Sequence, residues 1–316
     1  MGQPHAGSFI IYPQSGGVYM INTNYEKTGY LHDPFRLFHL TDREIKHYEY
    51  HYHDFYKILL FFSGDVDYFI EGITYRLEPR DILLIGAGDV HRPIIRSDAP
   101  YERIILYVSS DFLASHTGDG YALETCFRKQ QTAHLSNWPD NSPKEKTEPL
   151  PVLRTSSSSV PVLFKLCEKL ETSLSDHEYA AELYSRTLLL QFLIQLNRSF
   201  LTDSFRYIET GSSNQKITEI LHYINEHLDD DLSIDALSKQ FFVSRRYLMQ
   251  IFKQETGYSI GKYVNAKRLF WARDKILHGM SLTDACFSSG FQHYSTFTRS
   301  YYRMFQATPG TLKKEL

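Results

Sequence analysis

The sequence predicts an α+β chain of two domains: an N-terminal all-β barrel with following helices, then an all-α domain of two helix-turn-helix units joined by a linker helix. Three observations lead there. Short apolar runs at close spacing fill Phe35 to Val108, a helical period takes over after Asn214, and one helix-turn-helix pattern recurs about 49 residues further on.

Within the first region, strands are expected at Tyr56 to Ser63, Val66 to Ile70, Ile73 to Leu77, Asp81 to Ile85 and Arg103 to Val108. Each is rich in Ile, Leu, Phe or Tyr, and Gly, Pro and Asp punctuate them. Glu71-Gly72 reads as a two-residue hairpin turn, with glycine supplying a positive φ. Residues 126–159, rich in Pro, Ser, Thr, Asn and charge, read as a flexible loop. Residues 160–210 read as helical, about Val160 to Leu174 and Glu178 to Ser199. The second helix is apolar on more than one face. It would bury one side on the barrel and the other on a second subunit, unless one subunit encloses it entirely. Thr210 to Ser213 marks a second joint.

Composition narrows the function classes. The chain has 316 residues, 42% hydrophobic and 22% charged, as in a soluble two-domain protein. No apolar stretch approaches a membrane span, so no membrane association and a cytoplasmic location are expected. Cys126, Cys167 and Cys286 lack CxxC spacing and read as ordinary buried thiols. The net charge of -3 conceals an asymmetry: Ala236 to Leu316 holds 13 Lys and Arg against 4 Asp and Glu, whereas the preceding residues hold 21 against 33. Such a basic segment suits a polyanion partner, or is a solvated basic surface.

The C-terminal pattern favours the polyanion. Ile217, Ile220, Leu221, Ile224 and Leu228 form one helical stripe. Units at about 233–256 and 281–305 follow, each a capped helix, a turn and a second helix. In the first, Leu248, Ile251 and Phe252 face inward, leaving Arg245, Arg246, Met249, Gln250 and Lys253 outside after the cap Ser244. In the second, Phe297, Tyr301 and Met304 face inward and Tyr294, Ser295, Thr298, Arg299 and Tyr302 outward. Ile260 to Leu277 joins them, roughly 27 Å if helical. Major grooves repeat at about 34 Å, so two reading heads could enter successive grooves.

Residues 214–316 resemble the DNA-binding domain of the AraC/XylS family of bacterial transcription regulators. Gly290 to Lys314, GFQHYSTFTRSYYRMFQATPGTLKK, is similar to the signature GFxDxSYFSRxFKKxxGxTPxxYR. His293 stands at its acidic position, Ala307 is read at its glycine, and Leu312-Lys313 replace Tyr-Arg. The resemblance implies DNA contacts at Arg245, Arg246, Met249 and Gln250, and at His293, Tyr294, Ser295, Thr298 and Arg299. Chemistry adds guanine for Arg246, adenine for Gln250, and phosphates for Ser244, Lys253, Lys262 and Arg303. Implied partners are promoter DNA, RNA polymerase, a small-molecule effector and a second subunit in a homodimer.

The stretch Glu49 to Lys57, EYHYHDFYK, raises a different prospect. Two histidines at i and i+2 on a strand share a face and could hold a metal. Residues 35–108 resemble the cupin-like barrel that this family pairs with its DNA-binding domain. HYHDFYK at 51–57 and GITYRLEPRDILLIGAGDVH at 72–91 are similar to the two cupin motifs, with His51, His53 and His91 at ligand positions. Lys57 stands where metal-binding cupins carry an acid, and a protonated ammonium repels a cation. No metal or other cofactor and no catalytic residues are therefore expected; His51, His53, Lys57, Tyr75 and His91 are candidate effector contacts. Polar groups among aromatics suit a sugar. Phe9 to Tyr12 is a candidate lid. The alternative is a metal-dependent cupin enzyme with an accessory DNA-binding module.

Overall fold

Short runs rich in aromatic and aliphatic residues build the first half of the chain in the computed structural model, which describes residues 9–10, 19–20, 31, 33–127, 152–154, 159–201 and 214–312. Strands β1 (Phe9–Ile10) and β2 (Tyr19–Met20) form a short antiparallel pair. Strands β3 (Phe35–Asp42), β4 (Phe55–Ser63), β5 (Val66–Ile70), β6 (Ile73–Arg76), β7 (Ile82–Ile85), β8 (His91–Ile95), β9 (Tyr101–Ser109) and β10 (Val152–Leu153) make two further antiparallel sheets. Their orders are β10-β7-β4-β9-β3 and β6-β5-β8.

Period-2 alternation gives the larger sheet two different faces. Phe55, Leu59 and Phe61 of β4, with Leu83, Ile85, Ile105 and Tyr107, pack inward against Val66, Tyr68, Ile70 and Tyr75 of the smaller sheet. Ile58 and Leu60, with Ile82, Leu84, Ile104, Leu106 and Val108, face the opposite way. There they meet helices α2 (Ser159–Ser173) and α3 (Ala181–Leu201), through Leu163, Cys167, Leu170, Leu189, Phe192 and Leu196. Among the described residues the barrel expected from sequence is a pair of facing sheets that does not close, since no strand of one sheet pairs with a strand of the other. Helix α1 (Ser110–Ser115) follows β9, capped by Ser109.

The hairpin at Glu71-Gly72 is the two-residue turn expected, except that Glu71 shares the positive φ expected of glycine alone. Ile70 pairs with Ile73, and both turn residues have positive φ, 48° at Glu71 and 91° at Gly72. That suits the two-residue turn matching strand twist. The loop reading of 126–159 needs correction at both ends. Cys126 is buried in a 3-10 turn, and Val152–Leu153 pairs with Leu83 and Ile82 as β10. Arg154 then grips Asp81 through two hydrogen bonds of 2.8 and 2.7 Å. Residues 128–151, the joint at 210–213 and most of the arm, including Ile11 and Tyr12, lie outside the described residues.

Helices α4 (Gln215–Glu226), α5 (Ile234–Gln240), α6 (Arg245–Thr256), α7 (Ile260–Leu277), α8 (Leu282–Ser288), α9 (Tyr294–Phe305) and α10 (Pro309–Leu312) complete the chain. Linker helix α7 buries residues around its circumference, as a helix enclosed on several sides must. Ile260, Tyr263 and Val264 belong to the core of the first unit, and Leu269, Ala272 and Ile276 to that of the second. The first core also takes in Phe69 and Val90 from the outer face of the smaller sheet, so the two halves of the chain pack directly together.

Candidate nucleic-acid interface and effector site

Each helix-turn-helix unit owes its exposed face to local chemistry. Ser244 caps α6, its hydroxyl accepting the Tyr247 N–H at 3.2 Å, and Gly257 closes the helix in the left-handed conformation at φ 75°. Leu248 and Phe252 are buried, with Ile251 half-buried, so Arg245, Arg246, Met249, Gln250 and Lys253 are all exposed. Arg245 is held by Asp235 of α5 at 3.1 Å. The second unit repeats this with differences. Ser281 caps α8 and engages Asp284, but His293 precedes α9 without a side-chain capping bond. His293, Tyr294, Ser295 and Arg299 are exposed, and Thr298 is half-buried with its hydroxyl donated to the Tyr294 carbonyl. Phe297, Tyr301 and Phe305 fill the core, while Met304 is only half-buried.

Counted from Thr308-Pro309, the signature's glycine falls on Gln306 rather than Ala307. Gln306 is the left-handed C-cap, at φ 51°. A glycine would relieve strain there, so the signature glycine has a backbone reason. Beside this cap a surface concavity of about 530 Å³ is lined by Thr298, Arg299, Tyr302, Arg303, Gln306 and Thr308. Its two guanidinium groups, of Arg299 and Arg303, give it a positive lining. Lys262 and Arg303 are likewise exposed.

The three histidines do converge. Ring centroids lie 4.3 Å apart for His51 and His91 and 4.8 Å for His53 and His91, and His51 bridges to His91 through the backbone. Each Nδ1 sits 2.7 to 2.9 Å from a carbonyl oxygen, of Glu49, Phe55 and Asp89 respectively. Carbonyls only accept, so Nδ1 carries the hydrogen and Nε2 keeps its lone pair. Nε2 of His53 and of His91 are buried without a hydrogen-bond partner. Burial, reinforced by the nearby Lys57 cation, lowers the His51 pKa to about 4. Burial likewise holds His53 and His91 well below the usual range, helped by Lys57 and the neighbouring imidazoles. All three rings are neutral acceptors at pH 7.

Lys57 Nζ donates to the Tyr68 hydroxyl at 3.0 Å. Tyr75, paired with Tyr68 across the hairpin, is buried in the same core. Among the described residues no group of three or more His, Cys, Asp or Glu is placed to share a metal ion. Asp54 points away from the histidines, to Arg273 at 2.9 Å.

The sequence reading did not foresee where several charges of the basic segment go. Lys267 reaches Asp89 at 2.9 Å and Glu71 at 3.1 Å, and Arg268 donates to the carbonyls of Leu228 and Asp230. Part of the charge asymmetry therefore joins the two halves of the chain, and among the described residues the exposed basic side chains of that segment lie on α6, α9 and the start of α7, with Lys239 on α5. Lys267 lies among Val264, Ala266 and Leu269, an apolar setting that was its one sequence signal.

A sensor-like β-unit packed against a helical domain that exposes the two helices α6 and α9 defines a ligand-responsive DNA-binding regulator. Residues 36–193 match the family described as the AraC-like ligand binding domain, and residues 237–315 match a helix-turn-helix domain. The chain belongs to the AraC/XylS family of transcription regulators. It is 23% identical over 265 residues to the HTH-type transcriptional activator RhaS of Escherichia coli O81 (strain ED1a), covering 84% of this chain and 87% of that one. The RhaS of Shigella sonnei (strain Ss046) is similar to the same extent. Among solved structures, ToxT from Vibrio cholerae O395 aligns over 90% of this chain and 98% of its own, at 13% identity and a TM-score of 0.36. A probable AraC family transcriptional regulator from Rhodopseudomonas palustris CGA009 aligns over 32% of this chain and 97% of its own, at 23% identity and a TM-score of 0.30.

Within the described residues, no helix is long and apolar enough to cross a membrane.

Proposed function

We propose that the chain is a cytoplasmic transcription activator whose effector, a sugar or related polyhydroxylated metabolite, binds between the two sheets at His51, His53, Lys57, Tyr75 and His91. The observation that carries this reading is the pair of buried, unpartnered Nε2 atoms on His53 and His91. A buried acceptor left unsatisfied costs about 1–3 kcal/mol. Hydroxyl donors of a sugar would satisfy both, while Tyr68, Tyr75 and Tyr107 offer ring faces for its apolar sides. Lys57 beside the histidines argues against the metal-dependent cupin enzyme, since its charge opposes a bound cation. A thermal-shift screen of pentoses, hexoses and their acids tests the reading. A hit that raises Tm in the wild type and fails in His53→Leu supports it; stoichiometric iron, manganese or zinc in the purified protein overturns it in favour of the enzyme.

On DNA, Arg245, Arg246, Met249, Gln250, His293, Tyr294, Ser295, Thr298 and Arg299 face the base edges. Ser244, Lys253, Lys262 and Arg303 take the phosphates, and RNA polymerase is the partner recruited. Exposure of these side chains on α6, α9 and the start of α7, all but the half-buried Thr298, supports the assignment.

The second copy in a homodimer docks on α3. Leu183, Ile194 and Leu201 are exposed, and their spacing aligns them along one side of the helix. Leu183→Glu with Ile194→Glu is expected to weaken self-association at least tenfold in sedimentation equilibrium, leaving the circular dichroism unchanged. Wild-type protein sedimenting as a monomer at tens of micromolar would remove the dimer from this proposal.

A further inference from the structure

The turn between α5 and α6 holds a side chain that neither helix nor core explains. Helix α5 ends in a Schellman motif: the Phe242 N–H donates to the Lys239 carbonyl at 3.3 Å, and the Val243 N–H to the Ser238 carbonyl at 3.0 Å. Such an ending puts the residue after the C-cap in the left-handed conformation, where glycine is favoured because a Cβ crowds the following carbonyl. The second unit obeys that preference. At the end of α8 the Gly290 N–H donates to the Phe287 carbonyl at 3.0 Å and the Phe291 N–H to that of Cys286 at 3.3 Å, with Gly290 at φ 85°. In the first unit the same motif is built with Phe242 at φ 53°.

The residues on either side take up the core positions. Phe241 and Val243 are half-buried against the core of the first unit, and the Phe241 ring meets Tyr223 edge-on at 5.4 Å. Phe242 between them is 96% exposed, so its ring gains almost nothing from the fold. A strained backbone and a large apolar ring in water thus coincide at one residue. Backbone outliers of this kind persist where they serve a function. Only the first turn has room for it: a Cβ added at Gly290 would come within 2.2 Å of the Leu228 carbonyl.

The surroundings of the ring suit a polyanion. Lys239, three residues before it, and Arg245, three residues after it, are both exposed. Ser244, two residues on, caps the end of α6 that carries Arg245 and Arg246. Two residues of chain span about 7 Å at most, so the ring stands beside whatever meets Ser244. A phosphate gives an aromatic ring no partner, whereas the deoxyribose next to it presents an apolar C–H face.

We infer that Phe242 is a DNA contact of the first unit, its ring packing on a deoxyribose at the edge of the groove that α6 enters. The contact carries no sequence information; it sets the angle at which α6 lies and adds non-ionic affinity that the second unit, with Gly290, lacks. The inference goes beyond the contacts assigned above and rests on α6 as a reading helix.

The test uses the full chain with a duplex that the wild-type protein selects from a randomised pool, beside a scrambled one, at 50 to 200 mM salt. Phe242→Gly restores the residue the turn favours, so its Tm is expected to rise by about 2 °C. Its affinity is expected to fall about five- to tenfold on both duplexes. The slope of log K against log salt should keep its wild-type value, because a ring on a sugar releases no counterion. Phe242→Trp keeps a ring and should bind within twofold of wild type, while Phe242→Asn, which tolerates the left-handed conformation, should lose as much as glycine. A glycine variant that binds both duplexes within twofold of wild type overturns the inference, and if it also loses activation in a reconstituted transcription reaction, the ring belongs to RNA polymerase. A loss confined to the selected duplex overturns the sugar contact in favour of a base edge. A wild-type protein that selects no duplex overturns the regulator reading itself.

Discussion

Acidification from pH 7 to pH 4 is expected to remove about 3 kcal/mol of stability through His51 alone, with His53 and His91 adding to the loss. The sign follows from where the protons bind. In the unfolded chain these imidazoles titrate near 6.5, whereas in the fold His51 is lowered to about 4 and the other two lie well below their usual range. Between those limits the unfolded state binds more protons than the folded one, so stability is full above about pH 6.5 and falls as pH falls toward 4. His39 has the opposite sign: its hydrogen bond to Glu171 outweighs its burial and, with Glu102, raises its pKa, so its contribution grows toward acid and offsets part of the loss. Urea midpoints followed by circular dichroism at half-unit pH steps measure the slope. Lys57→Met removes a charge that depresses all three pocket histidines, and should move the acid midpoint down by about half a pH unit. A urea midpoint that is flat from pH 7 to 5 would show that these rings are not buried as neutral acceptors.

The same stretch shows where sequence reading reaches its limit. The apolar runs of β4 and β9 and the turn at Glu71-Gly72 were legible, because a strand buried between two cores reads as a near-continuous apolar run and its turns carry glycine. The span Ile260–Leu277 of α7 was legible too, and in the structure Ser259 caps its start. Strand β10 was not: two residues carry no periodicity, and Val152 and Leu153 become a strand only by pairing with β7 while Arg154 grips Asp81. At the site, the exposed faces of α6 and α9 follow from helical period. The convergence of His91 on His51 depends on a pairing 40 residues apart, which only the cupin resemblance suggested. Glu71, Asp89 and Lys267 meet from opposite halves of the chain, so no local pattern could announce them. Their charges were counted toward a polyanion partner when part of that balance is internal.

Arg246→Ala is expected to weaken binding to the preferred duplex by about 1–3 kcal/mol and to relax selectivity at one base pair, while Lys253→Ala weakens binding to every duplex alike. Both residues are exposed on α6, so neither change should disturb the core built on Leu248 and Phe252. Their positions separate the roles. Arg246 is in the first turn, beside the Ser244 cap, where a helix lying in the major groove presents side chains to base edges, and its planar fork matches guanine O6 and N7. Lys253 is two turns further along, with a point charge on a flexible stem that can meet a phosphate in any sequence. The mutants must also differ in salt dependence: Lys253→Ala should reduce the slope of log K against log salt by about 0.9, the share of one released counterion. Fluorescence titrations on the selected duplex and on a scrambled one, at 50 to 200 mM salt, give both quantities from one set of curves. Equal losses for both mutants on both duplexes would mean that α6 does not enter the groove by its N-terminal end, and the assignment of Arg245, Arg246, Met249 and Gln250 to bases would fall with it.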